Sequence, residues 1–136
     1  MLHKIVYNRD YGGFSLSLQA IDWLEQNGSE KTKQVIQKIK DDPVASEFSQ
    51  HSKELHIMYG VSDYFNSLRH DPDLVAVVEA LGDKADGECA HLAIMTLDCN
   101  MYRIETYDGY EDVITPDNDH EWIVIEEIEQ IMENRK

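Results

Sequence analysis

The clearest run of apolar positions lies between residues 71 and 82. Leu74, Val75, Val77, Val78 and Leu81 are apolar around more than half of a helical circumference, so a helix here must be covered on most sides. Both ends carry stop signals. Asp71 is a good N-cap acceptor, and Pro72 sits at the first helical position, where its missing N–H costs nothing. Asp73 adds negative charge to the first turn, and Gly82 suits the positive-φ residue that ends a helix. The pattern predicts a buried helix over 71–81, packed across a sheet.

Upstream, Lys4-Ile5-Val6-Tyr7-Asn8 reads as a short strand, and Gly12-Gly13 bends the chain towards a helix. Ser17 is its expected N-cap, Leu18, Ile21, Trp23 and Leu24 line it, and Asn27-Gly28 ends it. Ser29 caps a second helix with an apolar stripe of Val35, Ile36 and Ile39. Asp41-Asp42-Pro43 stops it, because the residue before proline avoids the helical region. Residues 44–69 are ambiguous. Ala45–Gln50 fits a short helical or irregular connector, and Lys53–Tyr59 fits either a strand or a helical turn.

After Gly87 the period changes to two. Leu92 and Ile94 fall on one face of a strand over 89–97, with His91, Met95 and Leu97 on the other. Tyr102–Tyr107 and Tyr110–Thr115 flank Asp108-Gly109, a strong signal for a two-residue type I′ hairpin. A turn at Pro116–Asp119, a strand over Trp122–Ile125 and a short helix over Glu126–Lys136 are expected to follow. The expectation is one α+β domain over residues 1–136. Its antiparallel sheet, a C-terminal meander joined by the N-terminal strand, packs against helices.

Charge changes this picture more than composition does. The 136-residue chain carries a net charge of −15, and 42% of its residues are hydrophobic, which argues against wholesale disorder. Residues 1–70 hold 8 basic and 9 acidic side chains, a net of −1, whereas residues 71–136 hold 4 and 18, a net of −14. One strongly negative face follows, and direct binding to nucleic acid is disfavoured because phosphates are met by Lys and Arg. No apolar run approaches the roughly 18 residues that a membrane span needs. Cys89 and Cys99 lack C-x-x-C spacing, and the simplest reading is a pair of reduced thiols in a cytosolic protein.

Candidate chemistry is sparse. The strand–Gly-Gly–helix junction, Tyr11, Gly12, Gly13, Phe14, Ser15 and Ser17, offers backbone N–H groups and a helix N-terminus to a small ligand or a nucleotide phosphate. It lacks both the P-loop lysine and G-x-G-x-x-G spacing. Asp117-Asn118-Asp119-His120-Glu121 starts like a calcium loop, but Trp122 stands where that loop needs glycine and Ile128 where it needs glutamate. The histidines show no zinc spacing, so no metal and no cofactor are expected. His70 beside Asp71 fits a helix-start contact, and His91 a place on a strand face. Ser15, Ser17, Cys89 and Cys99 sit in no nucleophile signature, so no catalytic residue is assigned. Glu105, Asp108, Glu111, Asp112, Asp117, Asp119 and Glu121 form a field of carboxylates suited to a basic groove on a partner protein.

Three stretches, taken in order, carry a resemblance. They are Ile5-Val6-Tyr7-Asn8 with Tyr11-Gly12-Gly13-Phe14-Ser15-Leu16-Ser17; Asp71-Pro72-Asp73-Leu74-Val75 through Val78-Glu79-Ala80-Leu81-Gly82 and Ala85-Asp86-Gly87; and Tyr107-Asp108-Gly109 with His120 and Trp122. Together they resemble a family of small proteins frequent in tailed bacteriophages, to which no activity is assigned. The likeness covers both ends of the chain but not residues 29–68. This chain also has Thr106 where family members carry an acidic residue before the Tyr-Asp-Gly hairpin, and its acidic loop after Ile114 is longer. The resemblance implies a phage accessory protein in a bacterial cytoplasm. With the charge, it suggests a non-enzymatic inhibitor of a host or defence-system protein that handles nucleic acid. The alternative is a small-molecule-binding or sequestering module at Gly12-Gly13.

Overall fold

Strand β1 (His3–Asn8) separates two apolar cores, and the alternation of its side chains explains why. Val6 points into the larger core, while Ile5 and Tyr7 point into a smaller one on the opposite face. The structure, a computed structural model, describes residues 2–116. The expected turn, strand and helix beyond Pro116, with Asp117, Asp119 and Glu121, lie outside the described residues.

The larger core is built by four helices. Helix α1 (Leu18–Gln26) starts where Ser17 Oγ accepts a hydrogen bond from Ala20 N at 3.1 Å, and it buries Ala20, Ile21 and Leu24. Helix α2 (Glu30–Lys40) is capped by Ser29 in the same way. Helix α3 (Gln50–Asn66) follows a 3-10 turn over Pro43–Glu47. Helix α4 (Pro72–Leu81) is capped by Asp71, whose carboxylate accepts from Asp73 N at 2.8 Å, and it ends at Gly82 with φ 56°. Leu74, Val75, Val77 and Val78 of α4 are all buried, packed against α1, β1 and strand β2 (Leu92–Leu97). The buried helix across a sheet is therefore present as its apolar pattern predicts.

Residues 53–59 are helical, not a strand. Ser49 Oγ accepts from Ser52 N at 3.2 Å and opens a 17-residue helix that absorbs the whole ambiguous stretch. Within it Ile57, Val61 and Phe65 recur every four residues and join the larger core. The alternation of Leu55, Ile57 and Tyr59 is coincidental to that helical face.

The fold is α+β, and the described residues form two small antiparallel sheets in place of one continuous meander. β1 pairs with β2, with Val6 opposite Ile94, and β3 (Arg103–Tyr107) pairs with β4 (Tyr110–Ile114). The two do not merge because the far edge of β1 is already satisfied. Val6 N donates to Arg69 O at 2.9 Å and Asn8 N to a carboxylate oxygen of Glu111 at 2.8 Å. The β3–β4 hairpin instead packs on the opposite face of the β1–β2 sheet from the helices, through Ile5, Leu97 and Val113. Among the described residues no helix is long and apolar enough to cross a membrane.

Candidate functional site

The hairpin forms as its turn residues require. Asp108 and Gly109 adopt φ of 53° and 89°, the positive values of a type I′ turn. Gly109 also sits so close to the backbone of Tyr11 and Gly13 that a Cβ has no room, which presses the hairpin turn onto the Gly-Gly loop. Asn8 locks the same contact. Its side-chain amide donates to Asp10 O at 2.7 Å and Gly109 O at 2.8 Å, and its carbonyl accepts from His91 N at 2.9 Å.

The pleat divides the acidic residues between two faces. Glu105 and Asp112 lie directly opposite each other on the outer face, where Tyr107 pairs with Tyr110. Tyr107 is 77% exposed, Asp108 and Asp112 are exposed, and Tyr110 packs against the exposed ring of Tyr11, tilted by 40° with centroids 5.4 Å apart. Glu105 shares an ion pair with Arg103 at 3.1 Å.

Glu111 does not belong to this surface. It is 4% exposed and accepts both arms of the Arg69 guanidinium, at 2.5 and 2.7 Å. Arg69 is itself buried. It donates further to Asn66 Oδ1 at 2.7 Å and Asn66 O at 2.9 Å, and it lies 3.9 Å from the centroid of the Phe14 ring. Period two decides this: Glu111 and Val113 share the inner face, so a carboxylate expected to face a partner is instead a structural anchor.

At the junction the structure brings only part of the expected set together. Gly12, Phe14 and Ser15 line a cleft of about 800 Å³ that runs along α3, but Tyr11, Gly13 and Ser17 do not. The Ser17 hydroxyl caps α1 and donates to Lys84 O at 2.5 Å, and Ser17 N is bonded to Ala85 O at 3.0 Å. Leu16 N donates to Ser62 Oγ at 3.0 Å, and Tyr11 N to the Asp10 carboxylate at 2.7 Å. Gly12 is demanded by packing, since a Cβ there overlaps the backbone and Cβ of Cys89.

Two further groupings were not legible in the spacing. His70 Nδ1 lies 2.7 Å from Tyr102 Oη, not against Asp71, and burial raises the Tyr102 phenol above its ordinary value of 10.0 despite the opposing pull of Arg69. Asp83 in a 3-10 turn (Gly82–Ala85), Asp86 just after it and His91 just before β2 offer ligand atoms all within 4.8 Å of one another. One Asp86 oxygen accepts from Leu92 N at 2.9 Å, and the other lies 3.6 Å from His91 Nδ1. Cys89 and Cys99 are free thiols. No family model, curated protein or solved structure matches the chain.

Proposed function

We propose that the chain is a small acidic accessory protein that binds and inhibits a host or defence-system protein through the outer face of the hairpin, without chemistry of its own. The carrying observation is the exposed Tyr107 ring set beside Asp108 and the cross-strand carboxylates Glu105 and Asp112. Glu105 is already paired with Arg103, so Asp108 and Asp112 are the carboxylates that basic side chains on a partner would meet. A tyrosine framed by charge is the residue type that anchors protein interfaces, while the acids steer encounter and set the salt dependence. The partner is thus a basic surface of the kind that meets nucleic acid, not nucleic acid itself. The phage and bacterial-cytoplasm setting rests on the resemblance.

The test is capture from bacterial lysate at low and raised salt, with the parent chain beside a Tyr107→Ala/Asp108→Asn/Asp112→Asn variant that keeps Glu111. A salt-sensitive partner is expected, its affinity falling about 30-fold or more in the variant, the size of one interface anchor. Its activity on nucleic acid should fall when the parent chain is added. Equal capture by the variant, or a partner whose activity is untouched, overturns the proposal.

A second reading, a small-molecule-binding module, is favoured by one observation, the cleft beside Gly12.

A further inference from the structure

One wall of that cleft is a single face of α3. Leu55, Met58, Tyr59, Ser62, Asp63 and Asn66 follow at helical spacings of three and four. The other wall is the Gly12–Leu16 segment with Glu88 and Cys89. A volume of about 800 Å³ suits a small organic molecule. Leu55, Met58 and Phe14 provide apolar walls, and Tyr59, 67% exposed, presents an aromatic ring.

The charge of the cleft has one sign. Asp63 and Glu88 are exposed, and among the described residues no Lys, Arg or His pairs with either. Among the described residues no Lys, Arg or His lines the cleft. Arg69 stands behind Phe14, but its guanidinium is committed to Glu111 and Asn66. Ser62 Oγ accepts from Leu16 N and Asn66 Oδ1 from Arg69, which leaves the Ser62 hydroxyl and the Asn66 amide nitrogen as neutral donors. A phosphate or carboxylate would meet two carboxylates and no cation.

We propose that this cleft binds a small amphipathic amine, its ammonium drawn by the Asp63 and Glu88 carboxylates and its apolar body against Leu55, Met58 and the Tyr59 ring. The proposal rests on the small-molecule reading and reverses the ligand charge that a Gly-Gly, helix-start junction suggests. Carboxylates attract the ammonium directly, and a tyrosine face adds to that attraction.

The experiment is an amide NMR titration of the full chain at physiological salt with three probes of one shape: phenethylamine, phenethyl alcohol and phenylacetate. Saturable shifts are expected with phenethylamine, centred on the amides of Gly12, Gly60 and Glu88, all of which line the cleft. Affinity should fall about tenfold in Asp63→Asn/Glu88→Gln, the effect of two partly screened carboxylates. The unchanged spectrum elsewhere reports that the variant is folded. Equal or tighter binding of the alcohol or the acid at the same amides overturns the cation preference but keeps the cleft as a binding site. Amine shifts centred on the hairpin acids, or an affinity unchanged in the variant, also overturn it. No saturable shift from any probe overturns both the proposal and the small-molecule reading.

Discussion

In the helical body, Leu74, Val77, Val61 and Phe65 are fully buried within one continuous apolar cluster shared by α1, α3, α4 and β1. The β3–β4 hairpin buries Val113 with Ile104 partly buried beside it, and is tied down by Glu111 reaching Arg69 and Asn8 N and by the Asn8 amide reaching Gly109 O. The body is thus held by many weak, non-directional contacts, and the hairpin by a few directional bonds. This difference predicts different failures. Losing one apolar contact weakens the body in proportion to the volume removed, while losing one partner of the ion pair strands a buried charge.

The largest effect should come from the ion pair. Glu111→Leu leaves the Arg69 guanidinium buried without its carboxylate and should cost about 3–5 kcal/mol by urea unfolding. The double variant Arg69→Met/Glu111→Leu should recover part of that loss, because it leaves no stranded charge although the buried Asn8 N still lacks its acceptor. Hydrogen exchange sharpens the comparison: in Glu111→Leu the β3–β4 amides should lose protection before those of α4. Parallel loss in both regions would show that hairpin and body form one cooperative unit.

A cavity in the body comes next. Leu74→Ala should cost about 2–5 kcal/mol, and the hairpin should then open only together with the helices. A variant that frees the hairpin while leaving α4 protected would break the distinction from the other side.

The smallest effect concerns Tyr102, which borders the hairpin at its bond to His70. Burial raises its phenol in the folded chain above 10.0, so the folded state keeps a proton that the unfolded chain releases. Its contribution to stability is complete below pH ~10 and is lost as the pH rises through the folded value. In a difference titration at the phenolate band, Tyr102→Phe should remove the late portion of the tyrosine curve. Removal of an early portion would show that the ring is solvated.

Tyr102 and Glu111 also mark the limit of what was legible in the chain. Ser17, Ser29 and Asp71 announce three helix starts, and Asp108-Gly109 announces the hairpin turn. Each of these signals acts within four residues, so a short window of sequence contains the whole interaction. Ser49 is an equally local cap that is not among the expected helix starts, the alternation of Leu55, Ile57 and Tyr59 suits a strand as well, and only packing of Ile57, Val61 and Phe65 into the core decides for a helix. The acidic half could be counted from sequence. Which of its carboxylates faces solvent could not, because Glu111 is buried by an arginine 42 positions away. The same holds for the cleft, whose walls come from residues 12–16, 55–66 and 88–89, and for the Asp83, Asp86 and His91 group. Periodicity and caps are properties of neighbours along the chain. Burial of a charge, the sign of a cleft and the meeting of distant ligands arise only when separate segments share one volume.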